Sequence, residues 1–185
     1  VTFELLSFIF AVSGYGVLCY KMLGSGAVQP LSSTLLWLSL NAMNAFVTFS
    51  QGGNHLLVTG YTLGTAVTLI TTLYKGSYAF AKSDLPVAGL VVICFAIWQL
   101  SSGDAAIIAA STAAFIAGLP LIRLYWHNPE LCDKLTWFLF LTANLCGLFG
   151  AKSFAINQWV FPASALLYAI LLLSVSFRKK SERTV

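Results

Sequence analysis

The sequence predicts an all-α polytopic membrane protein, with seven transmembrane helices in a 3+1+3 plan of two parallel triple-helix bundles joined by a linking crossing. Three observations carry this. Only 9% of the residues are charged while 58% are hydrophobic, whereas a soluble domain carries about 25% charge. Ten Lys/Arg and six Asp/Glu are too few to coat a 20 kDa globule, and the same composition excludes disorder. The charges are also clumped, and the long stretches between them reach or exceed 16 residues, close to the ~20 residues that span ~30 Å of hydrocarbon at 1.5 Å per residue. Finally, a Trp–Asn spacing in one apolar run recurs 100 residues later in another.

Taken in order, the first span runs from Phe3 to Leu23 and ends at Gly24-Ser25-Gly26. It has no basic leading segment and carries Glu4, so it reads as a retained helix and not as a cleaved signal. The second, Leu31 to Ser50, opens behind Pro30, a residue tolerated in a first helical turn, and closes at Gln51-Gly52-Gly53-Asn54. The third is His55 to Tyr74 and the fourth Leu85 to Leu100, bracketed by Asp84 and Asp104. The fifth, Ala105 to Trp126, stops at His127-Asn128-Pro129; the sixth lies between Lys134 and Lys152, and the seventh is Gln158 to Phe177. No run alternates with period two, which argues against strands. The chain divides into a first bundle (1–78), a linker helix (79–103), a second bundle (104–177) and a basic tail (178–185).

Seven spans deliver Lys21, Lys75, Lys82, Arg123, Lys134, Arg178, Lys179, Lys180 and Arg183 to one side and Lys152 alone to the other. The positive-inside rule makes the rich side cytoplasmic, with the amino terminus outside and the carboxyl terminus inside. Short loops and few extramembrane residues point to a bacterial inner membrane. The +4 net charge is a topology signal and an attraction to anionic lipid; no nucleic-acid partner is expected.

The second span contains Trp37-Leu-Ser-Leu-Asn-Ala-Met-Asn44 and the sixth Trp137-Phe-Leu-Phe-Leu-Thr-Ala-Asn144. The offset of 100 also lays Gly60–Ile70 over Val160–Ile170 without a gap, and a four-residue shift sets Ser13–Leu18 beside Ala117–Ile122. Spans one to three and five to seven therefore read as copies of one unit. Because three crossings are odd, the fourth restores the direction and makes the repeats parallel.

This plan, with Gly118-Leu119-Pro120-Leu121-Ile122 leading through a polar loop to the Trp137–Asn144 helix, resembles the SWEET and PQ-loop transporter superfamily. Leu121 stands where that family has glutamine after the proline, and Gly16 takes the proline's place in the first copy. The resemblance implies a small-solute facilitator whose bundles rock around a central pocket. The same broad plan occurs in a vitamin-precursor transporter family and in a non-transporting cargo receptor.

Asn144 falls near mid-bilayer, and Asn41 and Asn44 share a face at i, i+3. A carboxamide donates and accepts, which suits hydroxyl- or amide-bearing solutes. The parallel repeat sets Asn44 and Asn144 across a pseudo-twofold axis, with Trp37 and Trp137 on nearly the same helix faces to stack on a ring. The competing readings are interhelical glue for Asn and an interfacial belt for Trp. Tyr61, Thr65, Thr68 and Thr72 form a polar stripe that lines a pathway or bonds back to i−4 carbonyls. Gly60/Gly64 and Ala106/Ala110/Ala114/Gly118 read as packing seams. Pro120, Gly14 and Gly16 are the hinge candidates, a static kink being the alternative; Pro162 reads as a helix-opening residue.

No Asp or Glu lies deep within a span, which disfavours ion coupling. Cys19, Cys94, Cys132 and Cys146 lack metal-ligand spacing, and His55 and His127 fall on opposite sides. Paired carboxylates, phosphate cradles and nucleophile motifs are missing from the sequence, so neither an enzyme nor a cofactor is expected. The expectation is a uniporter of a small neutral hydrophilic metabolite such as a sugar or vitamin-like compound, working by alternating access. The rival is a non-transporting receptor or assembly protein using the same bundle. A homo-oligomer is compatible with either, though each chain already holds both repeats.

Overall fold

The computed structural model describes residues 2–24, 29–75 and 103–178, together with six isolated positions between 89 and 100. The helices are α1 (Thr2–Gly24), α2 (Leu31–Ser50), α3 (Leu56–Tyr74), α4 (Gly103–Ala117), α5 (Leu119–His127), α6 (Lys134–Phe149) and α7 (Ile156–Ser176), with a 3₁₀ turn at Pro129–Leu131. Among the described residues there is no strand. Most of the expected fourth span, Cys94 within it and the end of the basic tail lie outside the described residues.

Thr2–Gly24, Leu56–Tyr74, Ile156–Ser176 and the α4–α5 unit, Gly103–His127, are long and apolar enough to cross a membrane. The α6 helix is apolar but has 16 residues, and Ser, Thr and Asn dilute the apolarity of the 20-residue α2. Large apolar side chains such as Phe46, Ile70 and Phe138 are more than half exposed, while Asn41, Asn44, Thr65, Thr72 and Asn144 are buried. Apolar outside and polar within is the distribution lipid favours and water penalises. The chain is an all-helical integral membrane protein.

The packing follows a closed order. α1 packs on α3 and α6, α3 on α2, α2 on α4, α4 on α7, and α7 on α6. The α2–α3 hairpin turns through Gly52, whose φ of 66° is the left-handed conformation that glycine tolerates. A Cβ on the next residue, Gly53, would meet the Asn157 carbonyl at 2.5 Å and Thr48 Cγ2 at 2.8 Å, so the turn docks against the start of α7. Gly60 and Gly64 admit α1 in the same way. A Cβ at Gly60 meets Ala11 Cβ at 3.2 Å, and one at Gly64 runs into the Tyr15 ring. That seam makes α1 and α3 parallel.

Antiparallel α1 and α6 are clamped at both ends. Lys152 Nζ lies 3.2 Å from Glu4 Oε1, and Lys21 Nζ lies 3.6 Å from Asp133 Oδ1. The Glu4 side chain in this pair is only 14% exposed. Asp133 also caps α6, accepting from Thr136 N at 2.9 Å and Thr136 Oγ1 at 2.8 Å. At the same end Arg178 stacks 3.4 Å over Trp126.

Two details of the expected spans are corrected. The fifth is not one continuous helix but breaks at Gly118, ahead of Pro120, which lacks the N–H that the Ile116 carbonyl would receive. Pro162 does not open the seventh span, since α7 begins at Ile156 and carries the proline inside it.

Candidate functional site

All ring helices except α5 meet at an internal cavity of about 70 Å³. Tyr15 comes from α1, Trp37 and Asn41 from α2, Tyr61 from α3, Ser111 from α4, Trp137 and Phe140 from α6, and Phe161 and Tyr168 from α7. The rings interlock edge to face. Tyr15 sits 4.8 Å from Phe140 and 5.6 Å from Tyr61, and Tyr61 sits 5.4 Å from Phe161. Trp37 and Trp137 each lie 5.8 Å from Tyr168, so one tyrosine bridges the two repeated tryptophans. Trp137 is 5% exposed and is therefore a wall residue, not an interfacial belt.

Among the described residues the walls carry no Asp, Glu, Lys, Arg or His. Their polar groups are few and mostly committed. Thr65 Oγ1 lies 2.6 Å from the Tyr61 carbonyl, 3.0 Å from Tyr15 OH and 3.2 Å from Asn41 Nδ2. A hydroxyl has one proton and two lone pairs, so Thr65 donates to the carbonyl and accepts from both Tyr15 and Asn41. Gln29 Nε2 donates to Tyr125 OH at 3.2 Å. Gln29 Oε1 and Ser111 Oγ face the cavity region without protein partners. An uncharged aromatic chamber with a few acceptors and hydroxyls takes a neutral solute with apolar faces and a small number of hydrogen-bonding groups.

Of the residues singled out from sequence, Trp37, Trp137 and Asn41 are on the cavity wall. Asn44 and Asn144 are not among its lining residues, though both are fully buried, at 1% and 0% exposure. Asn144 stands directly behind the wall, donating from Nδ2 to Tyr61 OH and to the Phe140 carbonyl, each at 2.8 Å. Neither side-chain atom of Asn44 has a hydrogen-bond partner. The threonine stripe bonds back along its own helix, Thr68 to the Gly64 carbonyl and Thr72 to the Thr68 carbonyl, both at 2.9 Å.

The hinge candidates separate. At the α4–α5 break Gly118 N turns to the Phe115 carbonyl at 3.1 Å, leaving the Ala114 carbonyl without its helical donor. Trp37 Nε1 supplies one at 2.9 Å, and Tyr168 OH donates to the Gly118 carbonyl at 3.0 Å. Two cavity rings therefore hold the break at Pro120. Gly14 is buried, and a Cβ there would meet the Phe140 ring at 2.8 Å; around Gly16 nothing lies within 4 Å. Gly14 is a packing position on the cavity side, and Gly16 faces away.

Sequence reasoning passed over Gln29, Ser111 and Tyr168. Gln29 reads as a loop residue before Pro30, and Ser111 is hidden in an alanine-rich run. The 100-residue offset read from sequence sets Tyr168 against Thr68, and that mismatch is the signal that marks it. No group of three or more His, Cys, Asp or Glu converges among the described residues. No family model, no curated protein and no solved structure matches the chain.

Proposed function

We propose that the protein is a uniporter for a small, neutral, hydroxyl-bearing solute, built as a seven-span, SWEET-like 3+1+3 transporter with its basic end in the cytoplasm. The observation that carries the reading is an uncharged cavity at the centre of a ring whose packing order is unchanged when its halves are exchanged. Replacing α1, α2 and α3 by α4–α5, α6 and α7, and the reverse, returns the same neighbours: α1–α3 becomes α4–α7, α2–α3 becomes α6–α7, and α1–α6 becomes α4–α2. Tyr61 and Phe161, paired by the 100-residue offset, touch each other at 5.4 Å, as equivalent residues do beside a twofold axis. The ends of α3 and α4 support the reading of a fourth crossing. The chain leaves α3 at Lys75, at the Lys21 end, and re-enters at Gly103, which abuts Gln51 at the Glu4 end.

The cavity, of about 70 Å³, is roomy enough for a few waters. Solutes of a few heavy atoms fit it as it stands, and a sugar or vitamin-sized ring requires the bundles to part. Parting is what the break at Gly118–Pro120 allows, because the Ala114 carbonyl is held there by the Trp37 side chain and not by helix. Proteoliposomes loaded with a graded series (glycerol, erythritol, D-glucose, nicotinamide) test the reading. Saturable uptake and counterflow of at least one member are expected, with loss in Trp37→Ala at normal expression; binding without flux for every member overturns it.

A further inference from the structure

An open groove lies at the basic end of the bundle, between the 3₁₀ turn, the start of α6 and the end of α7. Lys134 and Arg178 stand on its wall, together with Glu130. Each cation is laid over an aromatic ring. Lys134 Nζ lies 4.7 Å from the centre of the Phe177 ring. The Arg178 guanidinium lies 3.4 Å from the centre of the Trp126 ring, and its Nη1 donates to the Trp126 carbonyl at 3.3 Å. Among the described residues neither cation is paired with a carboxylate. Both rings are uncovered, Phe177 at 65% and Trp126 at 51% exposure, at the ends of α7 and α5.

We infer that this groove binds the headgroup of an anionic phospholipid, with the phosphodiester between Lys134 and Arg178 and the apolar part of the lipid against Trp126 and Phe177. The inference needs only the membrane-embedded bundle and is independent of the transport reading. Exposed aromatic rings at helix ends sit where hydrocarbon gives way to headgroups, and a basic pocket between helices at that depth meets lipid phosphate. Cations already laid on rings lose little further freedom when an anion arrives. A soluble phosphate ester would engage the same cations but leave both rings in water, whereas a lipid covers rings and cations together. The charge count sets the headgroup. Two cations and one carboxylate leave the groove at +1, which a phosphodiester neutralises with its single charge. A phosphomonoester carries roughly −1.5 to −2 at neutral pH and brings the excess against Glu130.

Native mass spectrometry of the full chain in detergent tests this, with phosphatidylglycerol, phosphatidylcholine, phosphatidic acid and glycerol phosphate as probes. One saturable phosphatidylglycerol adduct is expected, bound about tenfold tighter than phosphatidylcholine and tighter than phosphatidic acid, with glycerol phosphate unbound at the same concentrations. Lys134→Gln and Arg178→Gln should each lower the phosphatidylglycerol affinity about fivefold, and the double variant should erase the preference. Lys134→Arg keeps the charge and should retain the preference. So should Lys179→Gln/Lys180→Gln/Arg183→Gln, which separates the groove from diffuse attraction by the basic tail. A wild-type thermal midpoint in phosphatidylcholine nanodiscs identifies the variants that fold; if the groove variants fail it, wild type and the tail variant, whose grooves are intact, decide the question. Equal binding of phosphatidylglycerol and phosphatidylcholine by wild type overturns the inference. A preference lost with the tail, or undiminished in the folded double variant, overturns it as well. Glycerol phosphate bound as tightly as the lipid overturns it in favour of a soluble phosphate ester.

Discussion

Thr65 offers one proton and two lone pairs, and its partners on α1, α2 and its own helix use all three. Thr65→Val keeps the shape but strands Tyr15 OH and Asn41 Nδ2 in a buried wall. A loss of about 1–2 kcal/mol is expected, since unpaired buried groups forfeit their desolvation cost and hydrogen bonds in membranes are modest. Thr65→Ser should restore most of it; equal stability of the valine and serine variants would remove the network from the account. Cys132, in the turn between α5 and α6, makes a pH prediction. Its buried thiol, 3.4 Å from the Leu172 carbonyl, is pushed up to about 12 by burial and next by the Asp133 carboxylate. The folded state thus keeps a proton that the unfolded chain releases near pH 9, so stability is constant below that value and falls between about 9 and 12. Denaturation profiles should show an alkaline decline that Cys132→Ala lessens, and maleimide should leave Cys132 unlabelled at pH 8. At this scale the sequence was only partly legible. Trp37, Trp137 and Asn41 stood out because polar and indole groups are scarce in apolar helices. Tyr15, Phe140 and Gln29 did not, since which aromatic faces inward depends on the neighbour it meets.

Helix limits were the most readable feature, because each is written in local chemistry. Pro30 and the Gln51-Gly52 turn bound α2 as expected, Lys134 opens α6 behind its Asp133 cap, and His127-Asn128-Pro129 stops α5. Helix orientation was less readable. Spans apolar all round do not reveal which stripe meets protein and which meets lipid, and small residues became the guide. The glycines of α1 show the difference and give a further prediction. Gly14→Ala drives a methyl to within 2.8 Å of Phe140 and should destabilise by about 1–3 kcal/mol. Gly16→Ala meets nothing and should be neutral or stabilising by up to ~1 kcal/mol, since alanine is the better helix former. Flux with Gly16→Ala then decides whether that residue also flexes. Unchanged uptake at raised stability confines flexing to the Gly118–Pro120 break, and a loss of uptake in a stable variant restores Gly16 as a second hinge.

For the whole molecule, the charge asymmetry read from the linear chain becomes a property of two ends. Lys21 meets Asp133, Lys134 lies over Phe177, and Arg178 lies over Trp126. These contacts draw the carboxyl end of α1, the start of α6 and the ends of α5 and α7 together. Parallel packing of α1 and α3 adds Lys75 to the same end, and Arg123 sits one turn before His127. Lys152, paired with Glu4, is alone at the other among the described basic residues. The bilayer reads such a difference during insertion, since Lys and Arg are retained on the cytoplasmic side. Single cysteines at exposed His127 and Ser153, in a background with the native cysteines replaced, turn this into a measurement. A membrane-impermeant maleimide should label Ser153→Cys in intact cells and His127→Cys only after permeabilisation. Reversed labelling would put the basic end outside and remove charge as the orienting force. Labelling of both from one side would break the alternation of crossings on which the proposed 3+1+3 plan depends.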